Sequence, residues 1–151
     1  MSSGDRPAGN TSVSAYQQLP ELLIGVDIVE RVRLRETHGR FGERFLHRVF
    51  TAVEREQAGG KVERLAGRFA AKEACAKALG TGIGKDAAWQ DIEILRTDSG
   101  KPVIRLSGRA ALRAAYLGVE SLEVSISDTR EHAVAMVAGV CRKPLIRDSG
   151  I

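Results

Sequence analysis

The stretch that most constrains this chain is residues 67–84, GRFAAKEACAKALGTGIG. It reads as one alanine-rich helix that ends in a glycine-rich loop. On a 3.6-residue period, Leu65, Phe69, Ala76 and Leu79 share one face, with Lys72 inside that arc. Ala66, Ala70, Ala71, Ala74, Cys75 and Ala78 cover most of the remaining circumference. A helix that is small and apolar almost all round must be packed on several sides. Yet Lys72, Glu73 and Lys77 stand in its centre, and a buried charge without a partner costs several kcal/mol. Two readings stay open on the residues alone. Glu73 and Lys77 form an ordinary intrahelical pair at i, i+4, worth roughly 0.3–0.5 kcal/mol if exposed, or the charges serve a site.

The rest of the chain predicts the surroundings of that helix. Residues 1–20 are rich in Ser, Gly, Asn and Pro and read as a disordered leader, residues 21–142 as one domain, and 143–151 as a loose tail. Leu22 to Val29 is a nearly continuous, β-branched apolar run, hence a buried strand. Asp27 interrupts it; the ordinary explanation is that the strand ends there and Asp27 caps the following helix. Residues 30–57 read as helical and basic, with a break at Gly39 and Gly42. Thr51-Ala52-Val53-Glu54 fits a capping box and starts another helix. Gly80 is the expected stop of the central helix.

Asp91 to Leu95 and Pro102 to Leu106 form a hairpin around Asp98-Ser99-Gly100. Ala110 to Leu117 is a short helix, and Leu122 to Ser127 and His132 to Cys141 are two further strands. The order β, α, α, α, ββ, α, ββ predicts an α+β domain, a mainly antiparallel sheet packed against the long central helix.

Several functions are excluded at this level. The loop Gly80-Thr81-Gly82-Ile83-Gly84-Lys85 fails the Walker pattern and trails a helix, where a P-loop follows a strand. A net charge of +4 suits an acidic partner or a phosphorylated ligand, but aromatics at 5% are too few to argue for nucleic acid. Cys75 and Cys141 read as buried free thiols in a reducing compartment. No secretory h-region and no membrane-length apolar run is present, so a cytoplasmic protein is expected. None of His38, His47 and His132 has a visible triad partner, and no His or Cys spacing suits zinc. What remains is Asp27 and Glu73 in apolar settings, nearby lysines, a glycine loop and a row of arginines. Oxygen-only ligands imply a hard ion such as Mg²⁺ completed by substrate phosphates. The residues thus point to Mg²⁺-dependent chemistry on a phosphate-bearing ligand.

Four blocks in consistent order, IGVDIVE (24–30), GRFAAKEACAKALGTGIG (67–84), GKPVIRLSG (100–108) and VSISDT (124–129), resemble the small stand-alone holo-acyl-carrier-protein synthases of the 4′-phosphopantetheinyl transferase superfamily. RFGERFLHRVFT (40–51) is a weaker fifth. The resemblance runs from about Leu22 to Val140. It implies transfer of phosphopantetheine from coenzyme A to a serine of an acyl carrier protein, with release of 3′,5′-ADP. It implies a Mg²⁺ ion between Asp27 and Glu73 that holds the diphosphate, Glu73 helping to deprotonate the serine, and Lys77 neutralising or protonating the leaving phosphate. The crowded helix would then turn its charges toward metal and diphosphate.

By the same resemblance Arg68, the loop Gly80-Thr81-Gly82, and Lys101-Pro102 surround coenzyme A. Ser127, Asp128 and Thr129 reach it from a neighbouring subunit of a homotrimer. Ser125 and Ser127 match the family's S-x-S pattern, but Asp128 stands where many members carry histidine. Arg33, Arg40, Arg44 and Arg48 would meet the acidic recognition helix of the carrier. Two other classes stand as alternatives: a non-catalytic trimer that binds acyl carrier protein or coenzyme A, which would be expected to have lost the metal acids, and a basic nucleic-acid-binding module.

Overall fold

In the computed structural model, which describes residues 20–142, strands β1 (Glu21–Glu30) and β5 (His132–Cys141) pair antiparallel along their whole length. Strand β4 (Val119–Asp128) flanks β5 on its other side, giving a three-stranded sheet in the order β1-β5-β4. All but Pro20 of the expected leader, and the whole expected tail, lie outside the described residues.

The central helix α4 (Ala66–Ala78) packs on one face of this sheet, with Leu23, Val124, Ala135 and Val137 below it and Ala70, Ala71 and Ala74 above. The approach is backbone to backbone: a Cβ at Gly25 would stand 1.9 Å from the carbonyl oxygen of Ala74. This contact is the physical reason for glycine in β1 and alanine in α4, because any larger side chain would lift the helix off the strand. Cys75 lies in the same core, where burial pushes its thiol up to about 12.

Four helices precede the first hairpin, with the expected break falling at Gly42: α1 (Arg31–Phe41), α2 (Glu43–Val49), α3 (Ala52–Ala58) and α4. Gly42, at φ 63°, ends α1 and donates its N–H to the carbonyl of His38, so one basic segment becomes two helices. The expected capping box opens α3, with the Glu54 carboxylate accepting from the Thr51 N–H at 2.8 Å. These helices build a second core from Leu34, Leu46, Val49, Phe50 and Leu65. Strands β2 (Ile92–Arg96) and β3 (Pro102–Leu106) form a separate two-stranded sheet, and α5 (Gly108–Leu117) ends at Gly118. The fold is α+β with antiparallel pairing throughout the described residues, as expected.

One expectation is corrected. β1 is not buried on both sides: Leu22, Ile24, Val26 and Ile28 are 55–69% exposed, while Leu23 and Gly25 face α4. Met136 of β5 stands between them and β4 on the same open face, and is 49% exposed. The apolar run is continuous because both faces are apolar, but this chain covers only one of them. No helix among the described residues is long and apolar enough to cross a membrane.

Candidate active site

One helical turn separates Glu73 from Lys77, and both leave α4 on the side that meets the end of β1. Lys77 Nζ donates to Asp27 Oδ1 at 3.0 Å and to the carbonyl oxygen of Val26 at 2.9 Å. The intrahelical Glu73–Lys77 bridge is therefore not formed; Lys77 spends its charge across the helix–strand crossing. Nor does Asp27 cap a helix, since β1 runs on to Glu30, which holds the N-cap position of α1. Asp27 faces the α4 side of the sheet by the alternation of β1, in line with Leu23 and Gly25.

Glu73 is half-buried, and its carboxyl is held above the usual carboxylate range, first by burial and then by the neighbouring Asp27 carboxylate, with Lys77 pulling the other way. Two carboxylates and one ammonium thus share a small, partly open space. Among the described residues no group of three or more acids, histidines or cysteines is arranged to hold a metal ion, and Asp27 and Glu73 are the two carboxylates this space offers a cation. That donor set suits a hard divalent ion whose remaining positions are filled by water and phosphate oxygens.

The other cations of α4 face away from this space. Lys72 is wholly buried, and its ammonium donates to Glu54 Oε2 at 2.8 Å, to the Trp89 carbonyl at 2.8 Å and to the Ile92 carbonyl at 2.6 Å. Burial holds its pKa below the ordinary lysine value, while Glu54 opposes that shift. The expectation that all three central charges turn toward one ligand therefore fails for Lys72, whose acceptors lie on α3 and around the start of β2. Arg68 is 4% exposed and donates to the carbonyls of Ile94 and Arg64 and to Gln57 Oε1. Its guanidinium locks α4 to β2 and α3.

From Asp27 a groove of about 680 Å³ runs along α1, lined by Glu30, Arg33, Thr37, Phe45 and Phe69 among others. Thr37 and Phe45 also border a second depression that carries Arg40, Arg44 and Arg48. Arg33 thus lines the groove at Asp27, and Arg40, Arg44 and Arg48 line the adjoining depression. Sequence reasoning missed Thr37, Glu30 and Phe69 as parts of that wall; the helical spacing of Phe69 marked it only as core.

The remaining expected residues are distributed more widely. Gly80 (φ 70°) and Gly82 (φ 62°) turn the chain immediately after α4, with the Thr81 N–H and hydroxyl both donating to the Ala76 carbonyl. Lys101 pairs with Glu123 of β4 at 3.0 Å, tying the hairpin to the large sheet, and Pro102 opens β3 beside it. Asp128 stands over the first turn of α4, where a Cβ on Gly67 would lie 3.5 Å from Asp128 Oδ1. Thr129 orders the β4–β5 turn through bonds with Glu131 and His132. Asp27 pairs with Ala135 and Ser127 with Val134, so these two side chains leave opposite faces of the sheet two strands apart, about 10 Å. One chain does not bring them together.

Comparison with known proteins places the chain in a family. Residues 23–137 match the family model of the 4′-phosphopantetheinyl transferase superfamily. The chain is 46% identical over 119 residues to the holo-[acyl-carrier-protein] synthase of Ruminiclostridium cellulolyticum, covering 76% of this chain and 89% of that protein. Its fold is similar to the Helicobacter pylori holo-[acyl-carrier-protein] synthase in complex with coenzyme A, with a TM-score of 0.71 and 38% identity, covering 78% of this chain and 99% of that one. It is similar also to the Bacillus anthracis holo-(acyl-carrier-protein) synthase in complex with CoA (3′,5′-ADP), with a TM-score of 0.65 and 38% identity over 79% of this chain and 96% of that one. With a family model matched over residues 23–137 and a relative 46% identical over 119 residues, the chain belongs to the 4′-phosphopantetheinyl transferase superfamily.

Proposed function

We infer that the protein is a holo-acyl-carrier-protein synthase: it transfers 4′-phosphopantetheine from coenzyme A to a serine of an apo acyl carrier protein and releases 3′,5′-ADP. The observation that carries this reading is the Asp27–Lys77–Glu73 cluster, whose Asp27 also lines the groove that carries Arg33. A binding protein without catalysis would be expected to lack the metal acids, and Asp27, Glu73 and Lys77 are all present here.

Asp27 and Glu73 would hold Mg²⁺, an ion that neutralises diphosphate charge when bound. Glu73 takes the proton of the acceptor serine, directly or through a water. The serine oxygen then bonds to the β-phosphorus of coenzyme A, the bond from that phosphorus to the bridging oxygen breaks, and the electron pair leaves with 3′,5′-ADP. Lys77, already aimed across the crossing at Asp27, neutralises or protonates the departing phosphate. The turn Gly80-Thr81-Gly82 follows α4 directly and lets backbone approach the nucleotide. Lys101 and Pro102 would flank it from the hairpin. Arg68 uses three of its five N–H donors within the chain and would offer the remaining two to coenzyme A.

Ser127, Asp128 and Thr129 would complete the site from a second subunit. Support comes from the open sheet face: Leu22, Ile24, Val26, Ile28 and Met136 form an apolar surface that continues across β5 to Ser125 and Ser127. A homotrimer would cover this surface and place the serines at an interface. Arg33, Arg40, Arg44 and Arg48 would receive the acidic helix of the carrier. Residues 21–142 would carry the whole activity, in the cytoplasm where coenzyme A and carrier proteins are found.

Chromatographic detection of 3′,5′-ADP after incubation with coenzyme A, Mg²⁺ and an apo carrier tests the reading. Release that needs the carrier and stops with EDTA is expected. Carrier-independent release, or none, would return the protein to a binding role.

A further inference from the structure

The contact between α4 and β1 raises a question that the reaction residues do not answer. Glycine at Gly25 against the Ala74 backbone, with Ala70, Ala71 and Ala78 around it, makes a smooth interface. Small side chains hold a helix close but interdigitate little, so they set its distance from the sheet better than its rotation. Rotation matters here. A carboxylate about 6 Å from the helix axis moves about 1 Å for a turn of roughly 10°. A misplacement of about 1 Å can cost on the order of 10²-fold in rate.

Lys72 supplies what the alanines lack. All three protons of its ammonium are taken, by Glu54 Oε2 at 2.8 Å and by the Trp89 and Ile92 carbonyls at 2.8 and 2.6 Å. These acceptors are themselves fixed. Glu54 accepts from the N–H groups of Thr51 and Ile94, binding the start of α3 to β2. Trp89 stacks on Phe69 at 4.9 Å, and Phe69 lines the groove that holds Asp27. Lys72 precedes Glu73 in sequence, so it leaves the helix about 100° away and is anchored on a different flank.

We propose that Lys72 is a positioning residue: through Glu54, Trp89 and Ile92 it fixes the rotation of α4 and so the placement of Glu73 against Asp27. The directional bonds of this buried pair act as a register pin, a role buried ion pairs fill better than that of adding net stability. The proposal rests on the transferase reading for its consequence, but the geometry it describes can be read without turnover.

The test uses the full chain and two variants. Glu54→Gln/Lys72→Met removes both buried charges at nearly constant volume, and Glu54→Asp keeps both charges but withdraws the anchor by one methylene. With a pinned helix, either folded variant loses at least 10-fold in kcat while KM for the carrier stays within about 2-fold. Calorimetric titration with Mg²⁺ in the presence of coenzyme A shows a dissociation constant raised at least 5-fold, and the melting midpoint stays within a few degrees of wild type. Should the double variant fail to fold, Glu54→Asp decides the question alone. Wild-type kcat and wild-type Mg²⁺ affinity in a folded variant would overturn the proposal. A wild-type protein that binds Mg²⁺ but transfers nothing fails the functional reading alone, and the titration then decides the role of Lys72; one that binds no Mg²⁺ overturns both.

Discussion

Lys77 Nζ lies 3.0 Å from Asp27 Oδ1, joining the last turn of α4 to a strand residue 50 positions earlier in the chain. The contact puts a mobile cation at the place where two carboxylates meet, and it leaves Glu73 without the lysine that helical spacing would assign to it. Removing that cation should damage chemistry more than stability. Lys77→Met is expected to lower kcat by about 10²–10³-fold, the usual loss for one charge-stabilising donor. Its side chain is 52% exposed, so the melting midpoint should barely move. Steady-state kinetics beside thermal unfolding checks both halves.

Gly25→Ala tests the helix–sheet contact. The added Cβ meets the Ala74 carbonyl oxygen at 1.9 Å and the Ala78 nitrogen at 2.7 Å, and neither is a side-chain end that can swing away. The cost should reach about 3 kcal/mol, at the high end of overpacking effects, and lower the melting midpoint by on the order of 10 °C. A stability equal to wild type would mean that α4 and β1 can separate freely.

Much of this architecture was legible in the sequence, for local reasons. The Thr51–Glu54 box, the stop at Gly80 and the hairpin around Asp98-Ser99-Gly100 each rest on residues a few positions apart. What could not be read is which distant groups answer a buried charge. Lys72 finds Glu54, 18 positions upstream in the chain, and Arg68 finds the Ile94 carbonyl; no spacing rule connects either pair. Lys77 was visible as a charge, but its partner Asp27 was not. Periodicity also records only that both faces of β1 are apolar, and it cannot say that one of them is left open by this chain.

That open face yields a prediction about assembly. Ile24→Glu places a charge in the middle of the exposed apolar row, where it costs nothing in an isolated chain and much in a covered interface. Analytical ultracentrifugation should find a trimer for the wild type and smaller species for the variant. An unchanged sedimentation coefficient would remove this face from the interface.

Carrier docking can be separated from chemistry through Arg33, which borders the groove and whose side chain makes a 4.0 Å contact with Glu30. Arg33→Glu should raise KM for the carrier roughly 10-fold, through like-charge repulsion with an acidic partner, and leave KM for coenzyme A unchanged. The increase should shrink at high ionic strength. Equal carrier constants for the two proteins would make Arg33 a solvated surface residue.

The central claim is that Asp27, Glu73 and Lys77 form a phosphopantetheinyl transfer site. Intact-mass measurement of an apo acyl carrier protein, after incubation with coenzyme A, Mg²⁺ and either wild-type protein or Glu73→Gln, tests it most directly. Gln keeps the size of Glu73 and removes a carboxylate that Asp27 already opposes, so the variant should fold as well as wild type. The account predicts a gain of one phosphopantetheine with the wild type, lost on adding EDTA, and no gain with Glu73→Gln. No gain with the wild type, or equal gains with both proteins, would contradict it.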